Sequence, residues 1–266
     1  AQAEALAALP AETGEDAADA DRGLVAREDS LRVLRPDGSA IFDMDGYAFI
    51  NGIAPGSVNP SLWRQAALNN RHGLYKVADG IYQLRGYDLA TMSIIEGASG
   101  WIVVDPLTAQ ETAARALAFA RKNLGDKPVV AVIFTHSHAD HFGGALAVAA
   151  QADVASGKVR VIAPAGFIEE ATSENVLAGP AMGRRALYMY GRDLPRSVRG
   201  KVDNGLGKEP ALGTVGILQP TELIGQTPQA LSIDGVDFEF QYTPGSEAPA
   251  ELTFYLPKQH AFCGAE

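Results

Sequence analysis

The chain has 266 residues, of which 47% are hydrophobic, and a formal net charge of −10 at pH 7. This length suffices for one large domain or two small ones. The acidic balance argues against a nucleic-acid partner, because nucleic acids bind to basic stripes. A single cysteine, Cys263, excludes an internal disulfide framework and leaves the compartment open. No apolar run approaches the ~18 residues that a membrane span requires.

The first 50 residues are predicted to form a lead-in rather than a domain. Residues 1–30 are rich in Ala, Glu and Asp, which predicts either a peripheral helix or a frayed end. Residues 31–60 mix turn signals with short apolar pieces, which predicts irregular structure. The stretch Asp43-Met44-Asp45-Gly46 has a superficial similarity to a calcium loop. It lacks the later ligands of such a loop, so we interpret it as a turn.

Short strands separated by Gly-rich turns follow from residue 80 onward. The predicted strands 81–85, 92–96 and 101–104 form a meander. Apolar residues at helical spacing then predict a helix over 108–123 that ends at Gly125. The β-branched apolar run 129–134 predicts a fully buried strand.

Three of the five histidines occur within six residues directly after this buried strand. His136 and His138 are two positions apart, so in extended backbone both imidazoles can point the same way. Asp140 and His141 come just after them. Neutral imidazole and carboxylate are ligands that zinc accepts, with a position left open for water. We therefore predict that these four residues bind metal, whereas the isolated His72 is interpreted as an ordinary structural residue.

The chain then turns at Gly143-Gly144 into a helix predicted over 145–150, and a strand is predicted at 159–162. This strand–helix–strand order predicts a mixed α/β (α+β) fold with helices against the outer face of a sheet. Further strands are predicted at residues 221–224, 229–233, 236–242, 252–256 and 260–263.

Residues 165–215 are interpreted as an insertion that contains a helix over 181–190. Ordinary core packing is the favoured interpretation of the aromatic and methionine side chains on this helix. The alternative is a lid that borders an apolar pocket for an alkyl chain, lined by Met182, Tyr188 and Tyr190. Arg184 and Arg185 are expected in solvent or in a structural role.

The pattern His-x-His-x-Asp-His after a buried strand resembles the metallo-β-lactamase superfamily, whose fold is an αββα sandwich that carries one or two metal ions. Four stretches narrow the resemblance to the zinc-dependent alkylsulfatases, which hydrolyse sulfate esters of long alkyl alcohols: residues 59–65, 86–90, 100–107 and 245–251. The resemblance runs from about residue 50 to the last residue. It implies that residues 51–266 belong to a metallo-β-lactamase-like catalytic domain.

The resemblance also implies the rest of a ligand set for two Zn²⁺ ions. Most of the superfamily supplies a third histidine from the loop at residues 242–247, where this chain, like the alkylsulfatases, offers Glu247. Glu247 would complete the first site with His136 and His138, while Asp140 and His141 would hold the second ion and Glu266 would bridge the two. A zinc-bound hydroxide positioned by Asp140 and Glu266 is the expected nucleophile, because such a centre is nearly neutral and lowers the pKa of bound water.

The function expected from this resemblance is hydrolysis of alkyl sulfates, primary ones such as the detergent dodecyl sulfate or secondary ones, to an alcohol and inorganic sulfate. Cleavage at sulfur and cleavage at carbon are both left open. One alternative is another hydrolase of the superfamily (a lactamase, lactonase or thioesterase), which Glu247 disfavours. Another is a metal-binding module without catalysis.

The resemblance calls for elements beyond residue 266: a further histidine on the second zinc, sulfate-binding residues, a dimerisation region and a C-terminal domain. We therefore expect these residues to be a fragment of a longer, homodimeric protein. The first residues lack the basic and apolar regions of a signal peptide and fit either a mature end or an arbitrary start. Export to the periplasm or outside is expected from the resemblance, with a cytoplasmic location as the alternative.

Overall fold

A computed structural model describes residues 1–10 and 13–266; residues 11 and 12, in the predicted peripheral segment, lie outside the described part. The helices of this part are α1 Gln2–Ala8, α2 Glu15–Ala20, α3 Pro60–Asn69, α4 Gln110–Leu124, α5 Ala139–Phe142, α6 Ala145–Val148, α7 Gln151–Ala155, α8 Phe167–Thr172 and α9 Gly179–Tyr190. The strands are β1 Leu24–Ala26, β2 Arg32–Leu34, β3 Ala40–Asp43, β4 Gly73–Ala78, β5 Ile81–Arg85, β6 Met92–Glu96, β7 Trp101–Val104, β8 Val129–Ile133, β9 Arg160–Pro164, β10 Glu222–Ile224, β11 Gln229–Ile233, β12 Val236–Tyr242, β13 Leu252–Leu256 and β14 Ala261–Cys263. A 3₁₀ turn at Asp45–Tyr47 follows β3, and a π-helical turn at Ser173–Leu177 lies between α8 and α9.

Two main sheets organise the described residues. The larger has eight strands in the order β1-β4-β5-β6-β7-β8-β9-β10, and the smaller has four in the order β11-β12-β13-β14. Strands β7 to β10 pair in parallel, whereas β1 and β4 to β7 pair antiparallel. The carboxyl ends of β7, β8 and β9 therefore meet at one edge of the larger sheet.

Both faces of the larger sheet are apolar, because successive side chains of a strand point to opposite faces. Ile102 and Val104 of β7 point to the smaller sheet and share a buried cluster with Phe238 of β12. Trp101 and Val103 point the other way and share a second cluster with helix α4. The predicted mixed α/β fold, with helices against the outer face of a sheet, is thus confirmed.

Six strands are confirmed with the bounds that were predicted: β5, β6, β7, β11, β12 and β13. Strand β4 was not predicted. The prediction of one continuous helix over 145–150 was wrong. Helix α6 ends at Val148, because Ala149 takes an extended backbone (φ −143°, ψ 134°) before α7. This conformation buries the Ala149 methyl group in the core that α4 covers.

The segment predicted as an irregular lead-in contains a β2–β3 hairpin. Leu31, Ile41 and Phe42 from this segment belong to the same buried cluster as α4. The Asp43–Gly46 stretch is confirmed as a turn: Asp43 accepts the Gly46 N–H, and Asp45 accepts the Ser30 hydroxyl and the Leu31 N–H. Protein donors thus occupy the carboxylates that a calcium ion would need.

The favoured interpretation, that the aromatic and methionine side chains of helix α9 pack in the core, was wrong. This helix has no buried residue, and Tyr188 on it is 91% exposed. Arg184 and Arg185 are exposed, as predicted. Ion pairs anchor the loop that follows: Arg196 binds Asp43 and Glu209, and Lys201 binds Glu209. Within the described part of the chain, no helix combines the length and hydropathy needed to cross a bilayer.

Candidate metal centre

The histidine turn, residues 135–144, lies where the two sheets meet. Strand β8 ends at Ile133, and the next residues extend it far enough that the Phe134 N–H donates to the Ile162 carbonyl. The Leu252 N–H at the start of β13 donates to the Thr135 carbonyl at 2.8 Å. His136 faces Glu251 in an isolated antiparallel bridge. The first histidine is therefore held by backbone contacts to both sheets.

Two glycines allow the chain to turn directly after the histidines. The Gly144 N–H donates to the Leu107 carbonyl at 2.9 Å. A Cβ atom at Gly143 would lie 2.0 Å from the Thr108 carbonyl oxygen, and one at Gly144 would lie 2.1 Å from the Pro106 carbonyl oxygen. Glycine is required because backbone from the β7–α4 loop fills the space of a side chain.

The six metal ligands predicted or implied above form one cluster. The Nε2 atom of His136 lies 3.0 Å from Nδ1 of His138, and Nδ1 of His138 lies 3.5 Å from Glu247. His141 Nε2 lies 3.0 Å from Glu266 and 3.6 Å from Asp140.

Donor atoms within 4.8 Å of one another define two overlapping groups: His136, His138 and Glu247, and His136, His141 and Glu266. His136 is common to both groups, and Glu266 also approaches its Nε2 at 4.0 Å. Each group combines imidazole and carboxylate donors, the set that zinc and similar divalent ions accept. The residues present thus fit a pair of neighbouring cations.

Asp105 holds one residue of this cluster, His141, and also Thr135, which directly precedes His136. Its carboxylate accepts the Nδ1–H of His141 at 2.9 Å, and it also accepts the Thr135 N–H at 2.8 Å and the Thr135 hydroxyl at 2.6 Å. Asp105 follows β7 directly and has a positive φ of 52°. Such a backbone costs about 1–3 kcal/mol in a non-glycine residue, and the three hydrogen bonds oppose this cost.

The hydroxyl of Thr135 in turn orients the imidazole of His136. Its proton goes to Asp105, so its oxygen accepts the Nδ1–H of His136 at 2.9 Å. This assignment leaves a lone pair on His136 Nε2, the atom that faces His138 and Glu266. A ligating histidine is normally held in this way, through its other ring nitrogen.

Glu251 shapes the loop that carries Glu247. Its side chain accepts the N–H groups of Glu247 and Ala248 at 2.7 and 2.9 Å. Glu251 is only 4% exposed. The turn 243–248 is therefore held by a buried carboxylate, which places Glu247 beside His138.

The electrostatics of the cluster indicate uncompensated charge. Burial and the neighbouring His141 lower the pKa of His136 to about 4. Burial and Glu266 raise the pKa values of both Asp140 and Glu247. A hydrogen bond from His141 lowers the pKa of Glu266. Acids that repel one another around buried imidazoles are a favourable environment for divalent cations.

His141 illustrates the same point. Burial opposes its protonation, but Asp105 and Glu266 outweigh burial and raise its pKa well above the usual value. A divalent ion at Nε2 would satisfy the same carboxylates in place of the proton. His72, by contrast, lies outside the cluster and contacts the Glu28 carbonyl at 2.9 Å through Nε2, as expected for a structural residue.

The three side chains suggested for an alkyl pocket lie on α9 in different surroundings. Tyr188 and Tyr190 line a cavity of about 530 Å³, together with Met189 and residues of the 191–203 loop. Tyr190 is half-buried, and burial, Asp140 and Glu266 raise its pKa. The sulfur of Met182 lies 3.5 Å from a guanidinium nitrogen of Arg185 on the same helix.

Four residues around the ligands were not singled out from the sequence: Asp105, Thr135, Glu174 and Glu251. Asp105 had a usable signal, because it follows a strand adjacent and parallel to β8, and the carboxyl ends of such strands meet. Glu174 had none. It lies 3.7 Å from Nε2 of His138 and is supplied by the π-helical turn.

The layered fold with metal-ligand donors at the meeting edge of its sheets defines the class of protein. Residues 85–234, more than half of the chain, match the family model of the metallo-beta-lactamase superfamily, and the chain belongs to that superfamily. Its fold implies binding of divalent metal.

Among curated relatives, the chain is 48% identical over 249 residues to a linear primary-alkylsulfatase of a Pseudomonas species, covering 93% of this chain and 37% of that protein. It is 45% identical to an alkyl/aryl-sulfatase of Saccharomyces cerevisiae, covering 97% and 40%. A solved structure of a stereoselective inverting secondary alkylsulfatase from a Pseudomonas species superimposes with a TM-score of 0.92 at 46% identity, covering 97% of this chain and 41% of that one. The fold that the resemblance implied is thereby confirmed, and the chain spans about two fifths of the length of these relatives.

Proposed function

We propose that the protein hydrolyses alkyl sulfate esters to an alcohol and inorganic sulfate at a centre that binds two Zn²⁺ ions. The observation that carries this proposal is the pair of overlapping donor groups with Glu247 at the position of a third histidine. The chain also shares 45–48% identity with proteins named as alkylsulfatases over nearly all of its length. Glu247 and this identity together favour a sulfatase over the other hydrolases of the superfamily.

The donor set supports two cations because each of the two overlapping groups has two imidazoles and a carboxylate. His136, His138 and Glu247 would hold one ion. His141 and Glu266 would hold the other together with Asp140, which lies 3.6 Å from His141 Nε2, while His136 lies near both ions. Bound zinc supplies Lewis acidity and makes water a nucleophile at neutral pH.

The chain's own residues orient the reaction. Asp105 and Thr135 hold the imidazoles of His141 and His136 with their Nε2 lone pairs toward the centre. Glu251 holds the loop that presents Glu247. The alkyl part of the substrate would lie toward Tyr190 and the cavity beside it. Burial contributes about 0.8 kcal/mol per CH₂, so KM should fall as the alkyl chain lengthens.

The test is sulfate release from dodecyl sulfate and from secondary alkyl sulfates, measured together with the zinc content. Reaction in ¹⁸O-water identifies the bond that breaks: label in sulfate shows S–O cleavage, and label in the alcohol shows C–O cleavage. Glu247→Gln should lower activity, because it removes a carboxylate of the first group, whereas exposed Glu239→Gln on β12 serves as the control.

Two bound zinc ions with no sulfate release would contradict the proposal and favour another hydrolase of the superfamily. Zinc binding well below stoichiometric amounts would favour a module without catalysis. The expected homodimer and export stay predictions, to be checked by sedimentation and cell fractionation.

A further inference from the structure

The three imidazoles of the cluster share a pattern on their outer side. In each ring one nitrogen faces the donor group and the other faces an oxygen atom. For His136 the outer atom is Nδ1, 2.9 Å from the Thr135 hydroxyl. For His141 it is also Nδ1, 2.9 Å from Asp105.

His138 is reversed relative to the other two rings. Its Nδ1 is the inner atom, 3.0 Å from His136 Nε2 and 3.5 Å from Glu247. Its Nε2 points outward, where the nearest acid is Glu174, with Oε2 at 3.7 Å. Because Nδ1 and Nε2 lie on different edges of the ring, a carboxylate at Nε2 acts on His138 from behind and is not a member of either donor group.

Helix α8, which packs against the core, positions Glu174 beside Nε2 of His138. Phe167 at the start of α8 stacks on Phe134, the residue just before the histidine turn, with ring centroids 5.0 Å apart. Helix α8 ends at Thr172, and the π-helical turn Ser173–Leu177 begins at the next residue. The Asn175 side chain donates to the Ala171 carbonyl at 2.9 Å. A π turn adds a residue to a helical turn, and such turns are frequent at functional sites.

We propose that Glu174 is a positioning residue for His138. It accepts the Nε2–H of the ring, which keeps the lone pair on Nδ1 toward the donor group of His136, His138 and Glu247 and raises the basicity of that nitrogen. This inference rests on the metal centre proposed above. A contraction of about 0.7 Å brings the present separation to a normal hydrogen-bond length. Partners of this kind change metal affinity by about 10–100-fold.

The proposal connects the insertion to the centre. Glu174 lies at the start of the segment that continues into α9. Burial, Asp140 and Glu266 raise the pKa of Tyr190 at the end of α9. Glu174 therefore joins this segment to the cluster, 3.7 Å from Nε2 of His138. The insertion therefore contributes to metal binding as well as to the surroundings of the substrate.

The experiment compares the purified protein with Glu174→Ala, Glu174→Gln and Glu169→Gln. Glu169 is an exposed acid on α8 and is the matched control. Zinc affinity is measured by competition with a chromophoric chelator, ligand geometry by the visible spectrum of the Co²⁺-loaded protein, and stability by urea unfolding without metal. Glu174→Ala should weaken binding of one ion about 10–100-fold and shift the Co²⁺ bands. Glu174→Gln, which keeps an acceptor oxygen, should have a smaller effect, and Glu169→Gln none.

Unchanged affinity and spectrum in Glu174→Ala, with tight zinc binding by the unsubstituted protein, would overturn the role of Glu174 and leave the metal centre intact. Loss of affinity accompanied by an equal loss of stability without metal would also overturn it, since the residue would then act on the fold. An unsubstituted protein that fails to compete with the chelator for zinc would overturn both the centre and this inference.

Discussion

The Asp105 carboxylate lies 2.9 Å from Nδ1 of His141, although 36 positions separate the two residues in the chain. The contact forms because Asp105 follows β7 and His141 follows β8, and these two strands are parallel neighbours. The same carboxylate accepts two hydrogen bonds from Thr135. One acid thus orders the histidine turn at its start and near its end.

Replacing Asp105 by Asn should weaken metal binding more than it unfolds the protein. The amide keeps the shape and one acceptor, but its NH₂ group can donate to His141 Nδ1 and so favour the wrong tautomer. We expect metal affinity to fall about 10–100-fold, measured by chelator competition. Exposed Asp126→Asn is the control. Equal affinities in the two variants would show that Asp105 does not orient His141.

His136 should matter to both ions, because it belongs to both donor groups. His136→Ala is expected to lose most of its metal on dialysis, whereas His138→Ala should keep part of it. Atomic emission spectrometry of the dialysed proteins measures the difference. His72→Ala, outside the cluster, should retain the full metal content. Equal retention by His136→Ala and His138→Ala would contradict the shared role.

The two turn glycines offer a test of close backbone packing. Gly144→Ala forces a Cβ against the Pro106 carbonyl and should destabilise the fold by several kcal/mol, since backbone must move. Gly183→Ala in α9 meets nothing within 4 Å and has no positive φ, so it should be neutral or stabilising by about 0.5–1 kcal/mol. Urea unfolding of both variants measures these changes. A Gly144→Ala protein as stable as the unsubstituted one would refute the packing argument.

The ion pair between Glu222 and Arg160 should make the free energy of unfolding depend on pH. Arg160 binds Glu222 through Nε at 2.6 Å and a second guanidinium nitrogen at 2.8 Å, and this hydrogen bonding lowers the pKa of Glu222 below its ordinary value of 4.5. A lowered pKa in the folded state means that the stabilisation is present above pH 4.5 and lost as the pH falls through the folded-state pKa.

Glu222→Gln should therefore cost about 0.5–1 kcal/mol at pH 7, and this difference should shrink at lower pH. Urea unfolding at pH 7 and below pH 4 measures it, with Glu239→Gln as the control. A difference that grows on acidification would show the wrong sign and refute the assignment.

Strand bounds were predictable in β12, where side chains alternate between the core and solvent. In β12 every second side chain is buried, and residues 236–242 were predicted with both ends correct. The β2–β3 hairpin was missed because its strands are short and their apolar residues become buried only through packing against α4. The surface position of α9 was also missed, since aromatic and methionine residues at helical spacing do not reveal whether anything covers them.

The sequence by itself determined the histidine turn, the strand that precedes it and the superfamily, because ligand spacing and side-chain periodicity are properties of neighbouring residues. Only the tertiary structure decided that Asp105 and Glu174 stand behind His141 and His138, and that His136 is shared by two donor groups. These contacts depend on which strands lie side by side and on a single π-helical turn. Both arise from packing between segments that are far apart in the chain.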